Sequence, residues 1–165
     1  MSLNKTLLAE FKQEAATTRK ILERVPIEKG DYKPHEKSMS LIRLATHVAE
    51  IAGWWKECLV KDELDFAVGD FTPKVMKSTE ELVALHDDLV AKAEIILNET
   101  PESEFDKDWT MRSGEMIFFT MPKSQVVRTW CMNHLYHHRA QLGVYLRMLD
   151  IPLPGTYGPS AEDKG

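Results

Sequence analysis

Apolar residues recur every three or four positions in four separate stretches of the chain, which is the spacing of a buried helical face. The four stretches cover residues 4–25, 40–61, 78–98 and 122–149. Ser40 and Ser78 stand at the start of the second and third stretches as candidate N-caps, and Pro26 and Pro101 follow the first and third. The pattern therefore predicts four helices that pack their apolar faces together.

Two segments between these helices have a different pattern. From residue 108 to 121, short apolar runs flank Arg112-Ser113-Gly114-Glu115, which is typical of two strands joined by a glycine-bearing turn. The connection at 62–77 contains Gly69 and Pro73 and has no regular period, so we interpret it as a crossover loop. The expected fold is all-α: a four-helix bundle with a long crossover connection and a small β-hairpin before the last helix.

Length, charge and cysteine content narrow the class of protein. A chain of 165 residues fits one domain with a substantial core, so we expect a single domain over residues 1–165. The net charge of −5 and the lack of a basic stripe argue against nucleic-acid binding. No signal peptide or bilayer-spanning apolar run is apparent, and Cys58 and Cys131 lie in apolar-periodic stretches typical of reduced, packed thiols. We therefore expect a cytoplasmic protein without nucleic-acid or membrane partners.

Three histidines are candidate ligands for a metal ion. His134 and His138 are one turn apart on the predicted last helix, so both imidazoles leave the same face. His47 lies about 60° from the centre of the buried stripe of the second helix and can face the interior. Three imidazoles from two helices leave coordination positions open, which is typical of catalytic rather than structural metal sites. On spacing alone, core or surface histidines without a metal are the more frequent explanation.

The other histidines have weaker claims to the site. His86 lies near the inner face of the third helix and is the main competitor of His47. His137 pairs with His134 in spacing, but it points roughly 100° away from His138, so we assign it to the rim. We assign His35 to a solvent-exposed loop.

Glu50 and Cys131 are the remaining candidates near the three histidines. Glu50 follows His47 by three residues and is a candidate fourth ligand, an acceptor that fixes the imidazole tautomer, or a general base. A solvated glutamate is the more frequent state. Cys131 lies on the same predicted stripe as His138, and we interpret it as a buried thiol rather than a ligand.

The chain resembles the DinB/YfiT-like superfamily of small metal-binding four-helix bundles over nearly its whole length. The resemblance depends on these stretches: Lys37-Ser38-Met39-Ser40-Leu41, Ala45-Thr46-His47-Val48-Ala49-Glu50, Met121-Pro122-Lys123, Asn133-His134-Leu135-Tyr136-His137-His138-Arg139-x-Gln141 and Tyr157-Gly158-Pro159-Ser160-Ala161. It implies a metal-binding triad of one histidine from the second helix and two from the last, which fall on His47, His134 and His138. It also implies a homodimer.

The resemblance implies a divalent metal ion, for which zinc, nickel, iron and manganese are all suitable, because imidazole nitrogen does not select sharply among them. It further implies a transfer reaction that uses a low-molecular-weight thiol such as bacillithiol, or a mycothiol-dependent isomerisation. The metal would lower the pKa of the thiol and present a thiolate to a small electrophile.

Two main hypotheses follow for the function. The first is a metal-dependent transferase or hydrolase that activates a thiol or water to attack a small-molecule substrate. The second is a non-catalytic metal- or ligand-binding helical bundle, and an inert homodimeric bundle is a third. An exchangeable coordination position next to a pocket favours catalysis, whereas a fourth protein ligand such as Glu50 favours a structural role.

Overall fold

Four helical segments account for most of the protein in the computed structural model, which describes residues 2–163. The first segment is α1 (Leu3–Leu22) and the third is α4 (Thr79–Glu99). The second consists of α2 (Leu41–Glu50), a 3-10 turn (Ile51–Gly53) and α3 (Trp54–Leu59). The last consists of α5 (Lys123–Val126), a π-helix (Val127–Asn133) and α6 (His134–Met148). Short 3-10 helices at Ile27–Lys29 and Glu102–Asp106 lie in the connections. The four predicted helices are therefore present.

Local capping interactions fix the ends of these helices. The hydroxyl of Ser40 accepts a hydrogen bond from the backbone N–H of Arg43, and Ser78 caps α4 in the same way, as the sequence predicts. The last helix ends at Met148, and Asp150, two residues later, has a φ of 58° in the left-handed region. The N–H of Ile151 then donates to the carbonyl of Leu146, which is the hydrogen bond of a Schellman motif.

A three-stranded sheet lies beside the helices and changes the fold class. The strands are β1 (Glu63–Asp65), β2 (Asp108–Ser113) and β3 (Met116–Pro122), in the order β1-β2-β3. The predicted hairpin is present, because β2 and β3 are antiparallel and join at Gly114. Strand β1 pairs in parallel with β2, with Leu64 opposite Met111, and it lies in the connection that we expected to be an irregular loop. The protein is thus mostly helical with a small sheet, and a purely all-α bundle is not confirmed.

Two groups of buried side chains form the interior. The first joins α1, α3, α4, the sheet and the π-helix around Trp55, Phe11 and Trp109. The second joins the end of α1 with α2, α4 and α6 around Leu44, Leu82 and Leu142. Because α2 and α6 pack against each other in the second group, the two histidine-bearing segments are adjacent. None of the helices within residues 2–163 combines the length and apolar character that a bilayer crossing requires.

Candidate metal centre

The structure brings His47, His134 and His138 together between α2 and α6. The Nε2 atoms of His47 and His134 are 3.1 Å apart. The three ring centroids are separated by 4.6 to 4.9 Å. One ring nitrogen from each histidine lies within 4.8 Å of the other two, and all three side chains are half-buried. These are the three histidines that the sequence predicts as a metal-binding group.

Local helix geometry positions each of the three imidazoles. The π-helix ends at Asn133, and regular α-helix begins at His134, so His134 and His138 are one α-turn apart on the same face. Such π-helical turns occur frequently at functional sites. On α2, the fully buried side chains of Leu44 and Val48 hold the helix against the core. His47, adjacent to Val48, therefore emerges at the edge of the buried stripe and faces α6.

Gln141 orients the ring of His138. Its side-chain oxygen lies 2.8 Å from Nδ1 of His138 and accepts a hydrogen bond from it. With the proton on Nδ1, the lone pair of Nε2 is directed to the other two histidines. Hydrogen bonds of this kind fix the tautomer of metal-binding histidines. No sequence pattern predicts this role for Gln141, although the residue lies three positions after His138 in the stretch that carries the family resemblance.

All three histidines favour the neutral form. Burial is the main cause that lowers the pKa of His47 to about 3 and that of His134 to about 4. The positive charges that neighbouring imidazoles would carry lower both values further, and Arg43 adds to the effect on His47. Burial also lowers the pKa of His138. At neutral pH the rings are therefore uncharged and keep the lone pairs that bind a metal ion.

The donor atoms fit a divalent cation. Two imidazole nitrogens that each lie about 2.0–2.1 Å from one ion, at angles of about 90–110°, are separated by about 2.9–3.4 Å. The 3.1 Å between the Nε2 atoms of His47 and His134 falls within this range. Neutral imidazoles suit zinc, nickel and iron alike. The three histidines are thus a possible metal site in both chemistry and spacing.

The sequence model of the DinB family matches residues 1–164. The chain belongs to the DinB family. The resemblance inferred from the histidine-bearing stretches is therefore confirmed.

Solved structures of DinB-like proteins share this fold. A DinB-like protein from Bacillus subtilis has a TM-score of 0.69 and 18% identity, covering 93% of this chain and 99% of its own. One from Bacillus cereus ATCC 10987 has a TM-score of 0.69 and 19% identity, covering 91% and 95%. At these identities the likeness shows the fold alone. A comparison with curated proteins finds no match.

The remaining histidines of this DinB family protein lie outside the cluster. His86 is 2% exposed, and its Nε2–H donates to the carbonyl of Ala15 at 3.1 Å, so it links α4 to α1. The competitor of His47 is therefore part of the core. His137 is exposed, with its ring centroid 4.8 Å from that of His138, and it lies on the rim as expected. His35 is exposed in the loop before α2.

Glu50 and Cys131 do not belong to the group of possible ligands either. The nearest cation to the carboxylate of Glu50 is Arg43, whose Nη1 is 3.9 Å from Oε2. The structure therefore offers no support for Glu50 as the fourth ligand. Cys131 is 1% exposed, and burial raises the pKa of its thiol well above the usual range. Its thiol is thus protonated at neutral pH and unsuited to binding a metal or attacking a substrate.

Two partly exposed tryptophan rings border His134, and a phenylalanine ring stacks on one of them. The ring of Trp130 is nearly parallel to those of Trp54 and Phe119, with centroid distances of 5.8 and 6.0 Å. His134 meets Trp54 and Trp130 edge-on, with centroids 6.0 and 5.6 Å away. Both tryptophans pack against the first group of core side chains and lie on one side of the site. They form an apolar wall that limits access of water to His134.

Proposed function

We propose that this DinB family protein is a divalent-metal-dependent enzyme that activates a low-molecular-weight thiol, or water, to attack a small electrophile. The observation that carries the proposal is the approach of three ligand nitrogens, from His47, His134 and His138, to within 4.8 Å of one another. Three imidazoles leave coordination positions for a thiol, water or substrate, which is the pattern of catalytic sites. Family membership supports the same assignment.

Several residues of the chain would serve this chemistry. A divalent cation at the site would act as a Lewis acid and lower the pKa of a thiol or water. The lowered pKa values of His47 and His134 keep their lone pairs free. Trp54 and Trp130 exclude water from one side, which strengthens electrostatic interactions there. Glu50, three residues after His47 on α2, is the candidate general base that accepts the proton.

The proposal includes the setting in which the enzyme works. Its partners would be small molecules, a thiol and an electrophile, and the family resemblance favours a cytoplasmic homodimer. The metal would be zinc, nickel, iron or manganese. Elemental analysis of protein purified without added metal is the direct way to identify it.

Loss of a ligand tests the metal site. We expect His134→Ala and His138→Ala each to abolish stoichiometric metal binding, because two remaining imidazoles hold a divalent ion weakly. Circular dichroism should show unchanged helix content, since both side chains are only half-buried. His137→Ala is the matched control on the same helix and should bind metal like the wild type. Full metal content in both single variants would contradict the triad.

Thiol consumption tests the catalytic part of the proposal. The metal-loaded protein should consume a simple thiol in the presence of an electrophile such as an aryl halide, and the metal-free protein should not. Stoichiometric metal without consumption of any thiol would instead identify a non-catalytic metal-binding bundle. Changing Glu50→Gln should lower the rate and leave metal content unchanged if its carboxylate is the base.

A further inference from the structure

Arg43 is a cationic side chain on the same face of α2 as His47. The two residues are one helical turn apart, so their side chains leave the helix in the same direction. The side chain of Arg43 is 36% exposed, so a small molecule can reach the part of it that faces solvent.

The guanidinium of Arg43 has a donor that the fold does not use. Its Nη1 is buried and has no hydrogen-bond partner. The carboxylate of Glu50 is 3.9 Å away, which is beyond the distance of about 2.7–3.2 Å that a hydrogen bond requires. Buried polar groups are nearly always hydrogen-bonded, so an unpaired guanidinium N–H beside a possible metal site needs an explanation.

Arg139 is an arginine of the same chain whose hydrogen bonds are structural. Nη1 of Arg139 donates to the carbonyl of Glu14 and to the hydroxyl of Thr18. Its Nη2 donates to the carboxylate of Glu14 and to Tyr157. Both terminal nitrogens of Arg139 are thus engaged within the protein. Arg43 differs, because its side chain is 36% exposed and its ion pair with Glu50 spans 3.9 Å.

We propose that Arg43 binds a carboxylate on the small molecule that enters the three-histidine site. A guanidinium presents parallel N–H donors that match the two oxygens of a carboxylate. Because Arg43 lies one turn from His47, it would hold an acid group that is a few bonds away from the reacting atom. This inference rests on the proposed function, which identifies the three-histidine site. It restricts the thiol or the electrophile to small molecules that carry a carboxylate.

A pair of thiols that differ in charge tests this specificity. The metal-loaded protein is titrated calorimetrically with 3-mercaptopropionate and with 2-mercaptoethanol, which carries a hydroxyl in place of the carboxylate. We expect 3-mercaptopropionate to bind about tenfold more tightly or better, because hydrogen bonds between two charged groups are the strong ones. Arg43→Gln should abolish this preference without weakening 2-mercaptoethanol, and Arg43→Lys should retain part of it.

Arg147→Gln is the matched control, because it removes the same charge from a guanidinium paired with Glu162 on the other side of α6. Arg147→Gln should keep the preference for 3-mercaptopropionate over 2-mercaptoethanol. Equal affinity for the two thiols in the wild type, or a preference that persists in Arg43→Gln, would overturn the inference while leaving the metal site intact.

Failure of the proposed function is distinguishable from failure of this inference. If the protein takes up no metal, the metal-free wild type and Arg43→Gln are titrated with propionate and with inorganic phosphate. The backbone amide signal of residue 43 in the NMR spectrum, which both proteins have, reports binding. A shift with propionate that disappears in Arg43→Gln supports the inference. No shift, or a shift with phosphate alone, overturns the assignment of a carboxylate.

Discussion

At the scale of single residues, the geometry of the site depends on a side chain that does not touch the other two histidines. Gln141 accepts the Nδ1–H of His138 at 2.8 Å and so directs Nε2 into the cluster. The Nδ1 atom of His134 is buried and has no side-chain acceptor, and its nearest polar neighbour is the backbone of Trp130. The hydrogen bond with Gln141 therefore fixes the orientation of His138 within the pair on α6.

Removing the acceptor should weaken metal binding without removing a ligand. We expect Gln141→Leu to lower metal affinity by roughly 10–100-fold, because His138 loses the hydrogen bond that fixes its tautomer. Gln141→Glu keeps an acceptor and should restore most of the affinity. Competition with a chromophoric chelator measures the metal affinity of both variants. Gln125→Leu, an exposed substitution of the same kind on α5, should have no effect, and an unchanged affinity in Gln141→Leu would exclude the orienting role.

Sequence alone predicts the three histidines but not all of their surroundings. The spacing of His134 and His138 and the family resemblance of the stretch around His47 are local patterns, so they are visible in the chain. His86 was a competitor because its acceptor, the carbonyl of Ala15, is 71 residues away and is revealed only by the packed helices. The same limitation hid the unpaired Nη1 of Arg43, since a missing contact leaves no pattern in a sequence.

At the scale of elements, the sequence predicts the helices and strands that have a regular spacing of apolar residues. The four helices each carry several turns of apolar spacing, and the hairpin carries Gly114 between two apolar runs, so both are recognisable. Strand β1 has three residues, of which only Leu64 is buried, and it gains its strand conformation by pairing with β2. The π-helix before α6 lies inside the stretch predicted as one helix, because its apolar spacing does not differ enough from that of an α-helix to be recognised.

Two glycines allow a matched test of element geometry. Gly114 has a φ of 57° in the turn between β2 and β3, so Gly114→Ala should destabilise the protein by about 1–2 kcal/mol. Gly143 lies within α6, and a Cβ added there meets no atom within 4 Å. Gly143→Ala should therefore stabilise the protein by about 0.5–1 kcal/mol. Urea unfolding measures both, and changes of the same sign would contradict the assigned conformations.

At the scale of the whole molecule, a buried ion pair joins three distant parts of the chain. Arg139 of α6 and Glu14 of α1 are 2.6 Å apart, and both side chains are almost completely buried. The hydroxyl of Tyr157, in the C-terminal tail, donates to the carboxylate of Glu14 at 2.8 Å. No sequence pattern predicts this group, because Arg139 and Glu14 are 125 positions apart and a charged residue on a helix is usually solvated.

Removing one member of this buried ion pair should lower the free energy of unfolding far more than removing one member of an exposed ion pair. Glu14→Ala leaves the guanidinium of Arg139 buried without its counter-ion, so we expect a loss of about 3–5 kcal/mol in the free energy of unfolding. Replacing both residues together, as Glu14→Leu with Arg139→Met, should cost less than Glu14→Ala, because no unpaired charge remains buried.

An exposed ion pair on α4 provides the control for this comparison. Lys92 and Asp88 lie 2.6 Å apart with more than half of each side chain exposed, so Lys92→Ala should change stability by less than about 1 kcal/mol. Urea unfolding at neutral pH compares Glu14→Ala, the double variant and Lys92→Ala with the wild type. If Glu14→Ala is as mild as Lys92→Ala, the Arg139–Glu14 pair does not hold α6 on α1. The alignment of His134 and His138 with His47 would then depend on the apolar contacts between α2 and α6.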